Sequence, residues 1–290
     1  YFEPLDFEFV RNIIDKENSN GEVKGVVVQF GGQTPLRIAN KLKEYGYKIL
    51  GTSFEAIDVS EDREQFQILI EKVGLKQPKS DISIGTKELI SKSSKLKFPI
   101  LLRPSYVLGG RMMEKMSSLD DVQSYIDQNY WALENNVILI DEFLKDAKEV
   151  DIDILRDVDG NTMIAGIMEH IEEAGIHSGD SACSIPPFSL SNDIISSIKE
   201  FSINLSQELK TVGLMNIQYA IKDNEIFILE ANPRASRTIP FLAKAIGIPF
   251  IKIAAELIAG KKLNQEMVKF KPESLTYYAI KEAVFVFNNT

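Results

Sequence analysis

Hydrophobic residues in this chain form short continuous runs, and segments of helical spacing separate them. The run at residues 23–30 is mostly apolar, as in a buried parallel strand, and a helical segment at residues 36–45 and a short strand at 48–50 follow it. Gly31-Gly32-Gln33-Thr34-Pro35 joins the first run to the helix, and glycines in such a turn can serve geometry alone. The pattern predicts an α/β unit at the start of the chain.

A second series of elements starts at Asp62, which can cap a helix whose apolar residues share one face and which ends near Gly74. Further helices are predicted at residues 86–96, 193–210 and 249–259. Strands are predicted near Ile82 and at residues 99–103, 137–143, 150–155, 162–168, 214–221 and 225–232. We therefore place a boundary near residue 62 and predict three parts, at residues 1–62, 63–260 and 261–290.

Composition narrows the functional classes. The chain has 290 residues, of which 44% are hydrophobic and 26% charged, enough to bury the cores of two domains. Its net charge of −9, without a basic block, argues against a nucleic-acid-binding surface, and no run reaches the ~20 apolar residues of a membrane span. We expect a soluble, cytoplasmic protein in which the single cysteine, Cys183, is a small buried residue outside any disulfide framework.

Three oxygen-bearing side chains fall at the ends of the last two predicted strands. With a three-residue hairpin loop at 223–225, Gln218 lies directly opposite Glu230, and Asn232 follows two residues later on the same face. A two-residue turn would put Gln218 and Glu230 on opposite faces. On one face, with Arg234 just beyond them, these groups suit a divalent cation such as Mg²⁺ that bridges phosphate oxygens. A solvated strand end is the alternative interpretation of this oxygen-donor patch (Gln218, Glu230 and Asn232).

Another glycine-containing segment, residues 105–111, links two predicted strands. Gly109 and Gly110 let its backbone approach an anion closely, so the segment could be a lid over phosphates, although an ordinary hairpin connection explains it equally. Arg103, at the end of the preceding strand, has the planar fork that suits phosphate oxygens, whereas a surface salt bridge is the commoner use of such an arginine.

Acidic residues alternate with apolar ones on a predicted strand at Glu149, Asp151 and Asp153. We expect most of these carboxylates to be solvated, while one of them could bind ribose hydroxyls. The two histidines, His170 and His177, lie near small residues and lack the spacing and the cysteine partners of a zinc site.

Phosphate chemistry in this chain would depend on positioning and electrostatics. Neither a G-x-S-x-G motif nor a Walker A motif is present. Metal ions would then bridge the phosphates, and the guanidinium groups of Arg103, Arg234 and Arg237 would offset the charge that develops during transfer.

Five segments, in this order, closely resemble the large subunit of carbamoyl-phosphate synthetase, and in particular its second, carbamate-phosphorylating half. They are Gly31-Gly-Gln-Thr-Pro35, Glu61-Asp-Arg-Glu-Gln-Phe66 and residues 103–111, 169–183 and 230–237. The resemblance covers nearly the whole chain. It implies an ATP-grasp domain of mixed α/β and α+β structure at residues 63–260, part of a Rossmann-like pre-ATP-grasp domain at residues 1–62, and a C-terminal segment at 261–290 that leads toward an allosteric region.

The resemblance also implies roles for individual residues. Arg103 would bind phosphates, Glu142 and Leu144 would lie near the adenine, Glu142 through backbone rather than side-chain contacts, and Glu149 would bind the ribose. Gly175, Ile176, His177 and Ser178 would surround the nucleotide. Gln218, Glu230 and Asn232 would bind Mg²⁺ or Mn²⁺, with Gln218 and Glu230 also near the nucleotide, and Arg234 and Arg237 would act on the transferred phosphoryl group and the carbamate.

By the same resemblance, the full enzyme makes carbamoyl phosphate from bicarbonate, glutamine-derived ammonia and two ATP, for pyrimidine and arginine synthesis. This chain would perform the last step, the phosphorylation of carbamate by ATP. Its partners would be the glutaminase small subunit and the rest of the large subunit, and since the chain begins at Tyr1 rather than Met, we expect an excised piece whose separate activity is in doubt. Another ATP-grasp carboxylate ligase, a biotin-dependent carboxylase component and a non-catalytic nucleotide-binding assembly domain remain as alternatives.

Overall fold

A computed structural model describes residues 1–104, 112–175 and 181–282. The N-terminal segment, residues 1–61, contains helices α1 (Phe7–Asn18), α2 (Gln33–Glu44) and α3 (Phe54–Glu61) and strands β1 (Val26–Val27) and β2 (Ile49–Leu50). The two strands pair in parallel, as an α/β unit requires. The strand predicted at residues 23–30 is nevertheless only two residues long, because β2 offers it a pairing partner over only two residues.

The next elements build a four-stranded sheet in the order β3-β6-β4-β5, backed by two helices. Helix α4 (Arg63–Lys72) precedes this sheet in the chain. The elements of the sheet and its two helices follow in the order β3 (Ser80–Ile84), α5 (Leu89–Ser93), β4 (Ile100–Pro104), β5 (Glu114–Met116), α6 (Leu119–Leu133) and β6 (Val137–Glu142). Asp62 caps α4 as predicted, since its side chain accepts a hydrogen bond from Gln65 N at 2.8 Å.

A six-stranded sheet in the order β11-β10-β7-β8-β9-β12 forms the rest of the described chain. Its elements are β7 (Lys148–Arg156), β8 (Thr162–Glu173), β9 (Cys183–Ile185), α7 (Asn192–Glu208), β10 (Gly213–Lys222), β11 (Glu225–Asn232), α8 (Ile239–Ile246), α9 (Phe250–Ile258), α10 (Gln265–Val268), a 3₁₀ turn (Pro272–Ser274) and β12 (Ala279–Lys281). The last strand is antiparallel to β9, so the segment after residue 260 adds an edge to this sheet. Cys183 is buried, as predicted.

The two faces of the six-stranded sheet are covered differently. Helices α4 and α7 bury one face, on which Val150, Ile152 and Ile154 of β7 belong to a continuous apolar cluster. On the opposite face, α8 and α9 cover the end that carries Leu155 and Leu214. The remainder of that face carries polar groups, because Asp153, Asp151 and Glu149 alternate with the apolar residues. None of the helices in the described part of the chain has the length and apolar composition needed to cross a membrane.

The hairpin of β10 and β11 has the predicted pairing of Gln218 with Glu230, but its turn differs from the predicted one. Its loop is the two-residue turn Asp223-Asn224, with φ of 51° and 62°, and Lys222 pairs with Glu225. Such a turn alone would put Gln218 and Glu230 on opposite faces. A β-bulge at Leu229 shifts the register by one residue, so Gln218 pairs with Glu230 after all. The predicted three-residue loop was therefore wrong, and the predicted pairing is confirmed.

Candidate functional site

The acidic strip of β7, Glu149, Asp151 and Asp153, is buried, with exposed fractions of 3%, 1% and 0%. The expectation that most of these carboxylates are solvated was wrong. The reason lies outside the strand: Ser236 and Thr238 cover Asp153, and His170 of β8 lies beside Asp151. Period-two alternation indicates which side chains share a face, and it does not show what packs on that face.

Asp153 anchors the start of α8 to the sheet. Its Oδ2 accepts hydrogen bonds from Ser236 Oγ at 3.0 Å and Thr238 Oγ1 at 3.1 Å, and its Oδ1 accepts one from Asn216 Nδ2 at 3.2 Å. Burial, together with the charge of Asp151, raises the pKa of Asp153 to about 7, although the three donors oppose this shift. Asp153 thus fixes the segment that carries Arg234 and Arg237 against the sheet.

The raised pKa predicts a pH dependence of stability. In the unfolded chain the Asp153 carboxyl returns to an ordinary pKa near 3.8, so its stabilising contribution is complete below about pH 4 and is lost as the pH rises through about 7. We expect the free energy of unfolding of the metal-free protein to fall by at most ~1.4 kcal/mol per pH unit from this group, and Asp153→Asn to flatten the slope. Urea unfolding from about pH 5 to about pH 7, between the unfolded and the folded pKa, measures it.

Asp159→Asn is the matched control, since Asp159 is a half-exposed aspartate paired with Lys262. The prediction is contradicted if Asp153→Asn and Asp159→Asn leave equal slopes.

Glu149, Asp151 and His170 form a second buried cluster, whose ligand atoms lie within 4.8 Å of one another. His170 Nε2 lies 3.2 Å from Asp151 Oδ2, and Glu149 Oε2 accepts a hydrogen bond from Gly175 N at 2.9 Å. Burial raises the pKa of Glu149 to about 7 against the charge of His170. Burial opposes protonation of His170, but the hydrogen bond and charges of Asp151 and Glu149 outweigh it and raise the histidine pKa. The structure thus brings together Glu149 and Gly175, two of the predicted nucleotide residues.

The oxygen-donor patch occupies the neighbouring strands. Gln218 of β10 pairs with Glu230 of β11 and, on its other side, with Asp151 of β7, so the three side chains share a row across the sheet. Asn232 Nδ2 donates to Glu230 Oε1 at 2.8 Å. Because the patch offers a carboxylate and two amide oxygens on one face, its donor chemistry fits a hard divalent cation such as Mg²⁺.

Arg234 lies directly beside the patch and is held on several sides. Its Nη2 donates to Asn232 Oδ1 at 3.0 Å and its Nε to Gln33 Oε1 at 3.2 Å. Gln33 Nε2 in turn donates to the carboxylate of Glu61. Burial lowers the pKa of the Arg234 guanidinium, which is only partly exposed, whereas Arg237 is exposed.

The predicted adenine and phosphate residues lie along β4 and the end of β6. Arg103 is exposed, and its Nε and Nη2 contact Asp141 Oδ2 at 2.8 and 2.6 Å, the salt bridge that the alternative interpretation predicted. Glu142 Oε1 accepts a hydrogen bond from Lys97 N at 2.9 Å. Leu144 is partly buried and packs against the cluster of Ala147, Ala174 and Ala220. The predicted lid at residues 105–111 and the predicted nucleotide residues Ile176, His177 and Ser178 lie outside the described residues.

Sequence reasoning assigned no role to three residues that the structure brings to the site. Gln29 is fully buried, and its backbone oxygen accepts a hydrogen bond from Ala235 N at 2.9 Å, next to Arg234. Gln33 accepts a hydrogen bond from Arg234, and Glu61 is linked to Arg234 through Gln33. The sequence signals were the placement of Gln33 in the Gly-Gly-Gln-Thr-Pro turn and of Glu61 at the start of the segment Glu61-Asp-Arg-Glu-Gln-Phe66.

Comparison with known families covers most of the chain. Residues 62–266 match the family described as "Carbamoyl-phosphate synthase L chain, ATP binding domain", and residues 1–59 match the "Carbamoyl phosphate synthase preATP-grasp domain". The carbamoyl phosphate synthase large chain of Archaeoglobus fulgidus is 50% identical over 287 residues, which are 99% of this chain and 26% of that protein. The large chain of Xanthomonas axonopodis pv. citri is 47% identical over 292 residues, 99% of this chain and 27% of that protein.

A large chain, C-terminal section, of Methanocaldococcus jannaschii is 44% identical over 296 residues, 99% of this chain and 48% of that protein. This chain therefore spans from about a quarter to about half the length of these relatives.

Two solved structures with the same fold are biotin carboxylases. The biotin carboxylase domain of Hydrogenobacter thermophilus 2-oxoglutarate carboxylase, in complex with MgADP, ADP and bicarbonate, has a TM-score of 0.72 at 16% identity and covers 97% of this chain and 62% of that one. Biotin carboxylase of Campylobacter jejuni in a beta-gamma-ATP complex has a TM-score of 0.73 at 15% identity, over 93% of this chain and 60% of that one. At such identity the likeness concerns the fold alone.

Proposed function

Since the chain belongs to the family of carbamoyl phosphate synthase large chains and has an ATP-grasp domain preceded by a pre-ATP-grasp domain, we propose that it phosphorylates carbamate with ATP. A carbamate oxygen attacks the γ-phosphoryl group, the bond between the γ-phosphorus and the β,γ-bridging oxygen breaks, and carbamoyl phosphate and ADP result. This would be the final step of carbamoyl phosphate synthesis from bicarbonate, glutamine-derived ammonia and ATP. The glutaminase small subunit and the rest of the large chain would be the partners.

The oxygen-donor patch is the observation that carries this proposal. Gln218 faces Glu230 across β10 and β11, Asn232 contacts Glu230, and Arg234 contacts Asn232. Gln218, Glu230 and Asn232 would hold Mg²⁺ or Mn²⁺, which when bound offsets the charge of the phosphate oxygens. Arg234 and Arg237 would bind the transferred phosphoryl group and the carbamate, and charge stabilisation by such fixed groups is the main catalytic resource in phosphoryl transfer.

The nucleotide would lie between the two larger sheets. Glu142 and Leu144 would border the adenine, Glu149 would accept from the ribose hydroxyls, and Arg103 would bind phosphate oxygens. Gly175, Ile176, His177 and Ser178 would complete the nucleotide site. Glu149 supports this role through its position, since its Oε2 already accepts a hydrogen bond from the backbone of Gly175.

The reverse reaction tests the proposal. The natural full-length polypeptide that carries this sequence should form ATP from MgADP and carbamoyl phosphate, measured by coupled ATP detection. Binding of ADP without ATP formation would contradict the proposal and favour the non-catalytic assembly domain. Phosphorylation of a different carboxylate, with none from carbamoyl phosphate, would favour another ATP-grasp ligase or a biotin-dependent carboxylase component.

Arg103→Lys tests the assigned phosphate contact. Lysine keeps the charge but loses the planar fork that can bind two phosphate oxygens at once, so we expect the KM for ADP to rise about tenfold. The measurement is ATP formation at varied ADP, with Arg11→Lys as the control because Arg11 is an exposed arginine paired with Asp15. An unchanged KM in Arg103→Lys would mean that the planar group is not needed.

A further inference from the structure

A cavity of about 330 Å³ lies between the N-terminal segment and the end of β11. Its walls come from both sides: Gln33, Ser60 and Glu61 line it from the N-terminal segment, and Glu230 and Asn232 line it from the oxygen-donor patch. The cavity therefore opens directly beside the site at which we propose phosphoryl transfer.

Gln33 orients a cation and a carboxylate at this cavity. Its Oε1 accepts a hydrogen bond from Arg234 Nε at 3.2 Å, and its Nε2 donates to the Glu61 carboxylate. Arg234 Nη2 donates to Asn232 Oδ1 at 3.0 Å, and its Nη1 donates to Ala235 O at 3.2 Å. Desolvation raises the pKa of Glu61, against the hydrogen bond from Gln33 and the charge of Arg234, although the side chain keeps an exposed surface. A carboxylate can still accept further hydrogen bonds, because its two oxygens offer about four acceptor positions.

We propose that this cavity binds the acceptor substrate, a small carboxylate with an amino group, and that Glu61 is the residue that selects the amino group. This inference rests on the proposed function. Arg234 attracts the anionic oxygens, and Glu61, on the neighbouring wall, accepts hydrogen bonds from the N–H groups. Carbamate offers two N–H donors, bicarbonate one O–H donor and acetate none, so a fixed carboxylate acceptor discriminates among these otherwise similar anions.

The reaction gives Glu61 no task as a base. Carbamate carries one negative charge and ATP four; carbamoyl phosphate carries two and ADP three, so no proton is released when the carbamate oxygen displaces ADP. Glu61 is therefore a specificity-determining residue, whose loss changes recognition of the amino group and leaves the phosphoryl-transferring groups in place.

Glu61→Gln in the natural full-length polypeptide tests this assignment. Glutamine keeps the size of the side chain and one oxygen for Gln33, but it presents an N–H donor where the amino group needs an acceptor. Two constants are measured in the ATP-forming direction: the KM for carbamoyl phosphate, and the inhibition constant of acetyl phosphate, in which a methyl group replaces the amino group. We expect the first to rise about 10- to 100-fold and the second to change less than about twofold.

Glu55→Gln, on the same helix and in an exposed pair with Lys43, is the matched control and should change neither constant. Equal weakening of carbamoyl phosphate and acetyl phosphate in Glu61→Gln would indicate general damage to the cavity and overturn the inference, as would unchanged constants. Wild-type protein that forms no ATP from carbamoyl phosphate would instead overturn the proposed function itself.

Discussion

Glu230→Gln should reduce metal-dependent ATP formation by at least about 100-fold while the protein remains folded. Glu230 is the one carboxylate in the oxygen-donor patch, and it contacts Asn232 and pairs with Gln218. An amide has nearly the same shape but no negative charge, so the change removes the anionic ligand without leaving a cavity. The measurement is kcat for ATP formation at increasing Mg²⁺, with circular dichroism and urea unfolding to verify the fold.

Two companion variants sharpen this result. Glu225→Gln lies on the same strand, in an exposed pair with Lys76, and should leave kcat unchanged. Gln218→Ala removes the ligand on the opposite strand and should also lower kcat, by a smaller factor because the carboxylate remains. Wild-type turnover in Glu230→Gln at every Mg²⁺ concentration would refute the metal site.

The pairing of Gln218 with Glu230 shows which features of a hairpin the local sequence can predict. The Asp223-Asn224 turn could be predicted from the sequence, since both residues tolerate positive φ and occur in two-residue hairpin loops. The bulge at Leu229 could not be predicted from the sequence, because its position depends on how β11 packs rather than on the residues at the turn. The correct face was thus predicted through an incorrect loop, and the prediction depended on a compensation elsewhere in the strand.

Burial of the acidic strip illustrates a different limit. The alternation of Glu149, Asp151 and Asp153 predicts correctly that they share a face. The burial of Asp153 depends on Ser236 and Thr238, which follow it by more than 80 positions, and Asp151 lies against His170 of the next strand. A local pattern contains no information about such distant partners, so it predicted solvated carboxylates.

The contacts of Gln29 are the extreme case of such distant packing. Gln29 Nε2 donates to Thr52 Oγ1 and to Pro233 O, both at 3.0 Å, and its Oε1 accepts from Thr52 N at 3.3 Å. The backbone oxygen of Gln29 accepts from Ala235 N, so Gln29 holds the chain on both sides of Arg234. A single buried amide therefore connects the N-terminal segment to the residue that we place at the transferred phosphoryl group.

Gly51→Ala should break this connection. Gly51 has φ of 89°, and a methyl group there would overlap Oε1 of Gln29, which cannot move away because its amide is fully buried and hydrogen-bonded. Backbone strain costs about 1 kcal/mol, and each buried polar group left without a partner costs about 1–3 kcal/mol, so we expect the free energy of unfolding to fall by about 3–5 kcal/mol. Urea unfolding of the purified variant measures this loss.

Gly46→Ala isolates the effect of the overlap. Gly46 has nearly the same φ, 88°, but a methyl group there would contact nothing within 4 Å, so only the backbone strain of about 1 kcal/mol should appear. Equal losses of stability in the two variants would show that Gln29 moves aside at little cost. If Gln29 is as rigid as its hydrogen bonds indicate, Gly51→Ala should also lower kcat for ATP formation. The reason is that the contacts of Gln29 with Pro233 and Ala235 hold Arg234 in place.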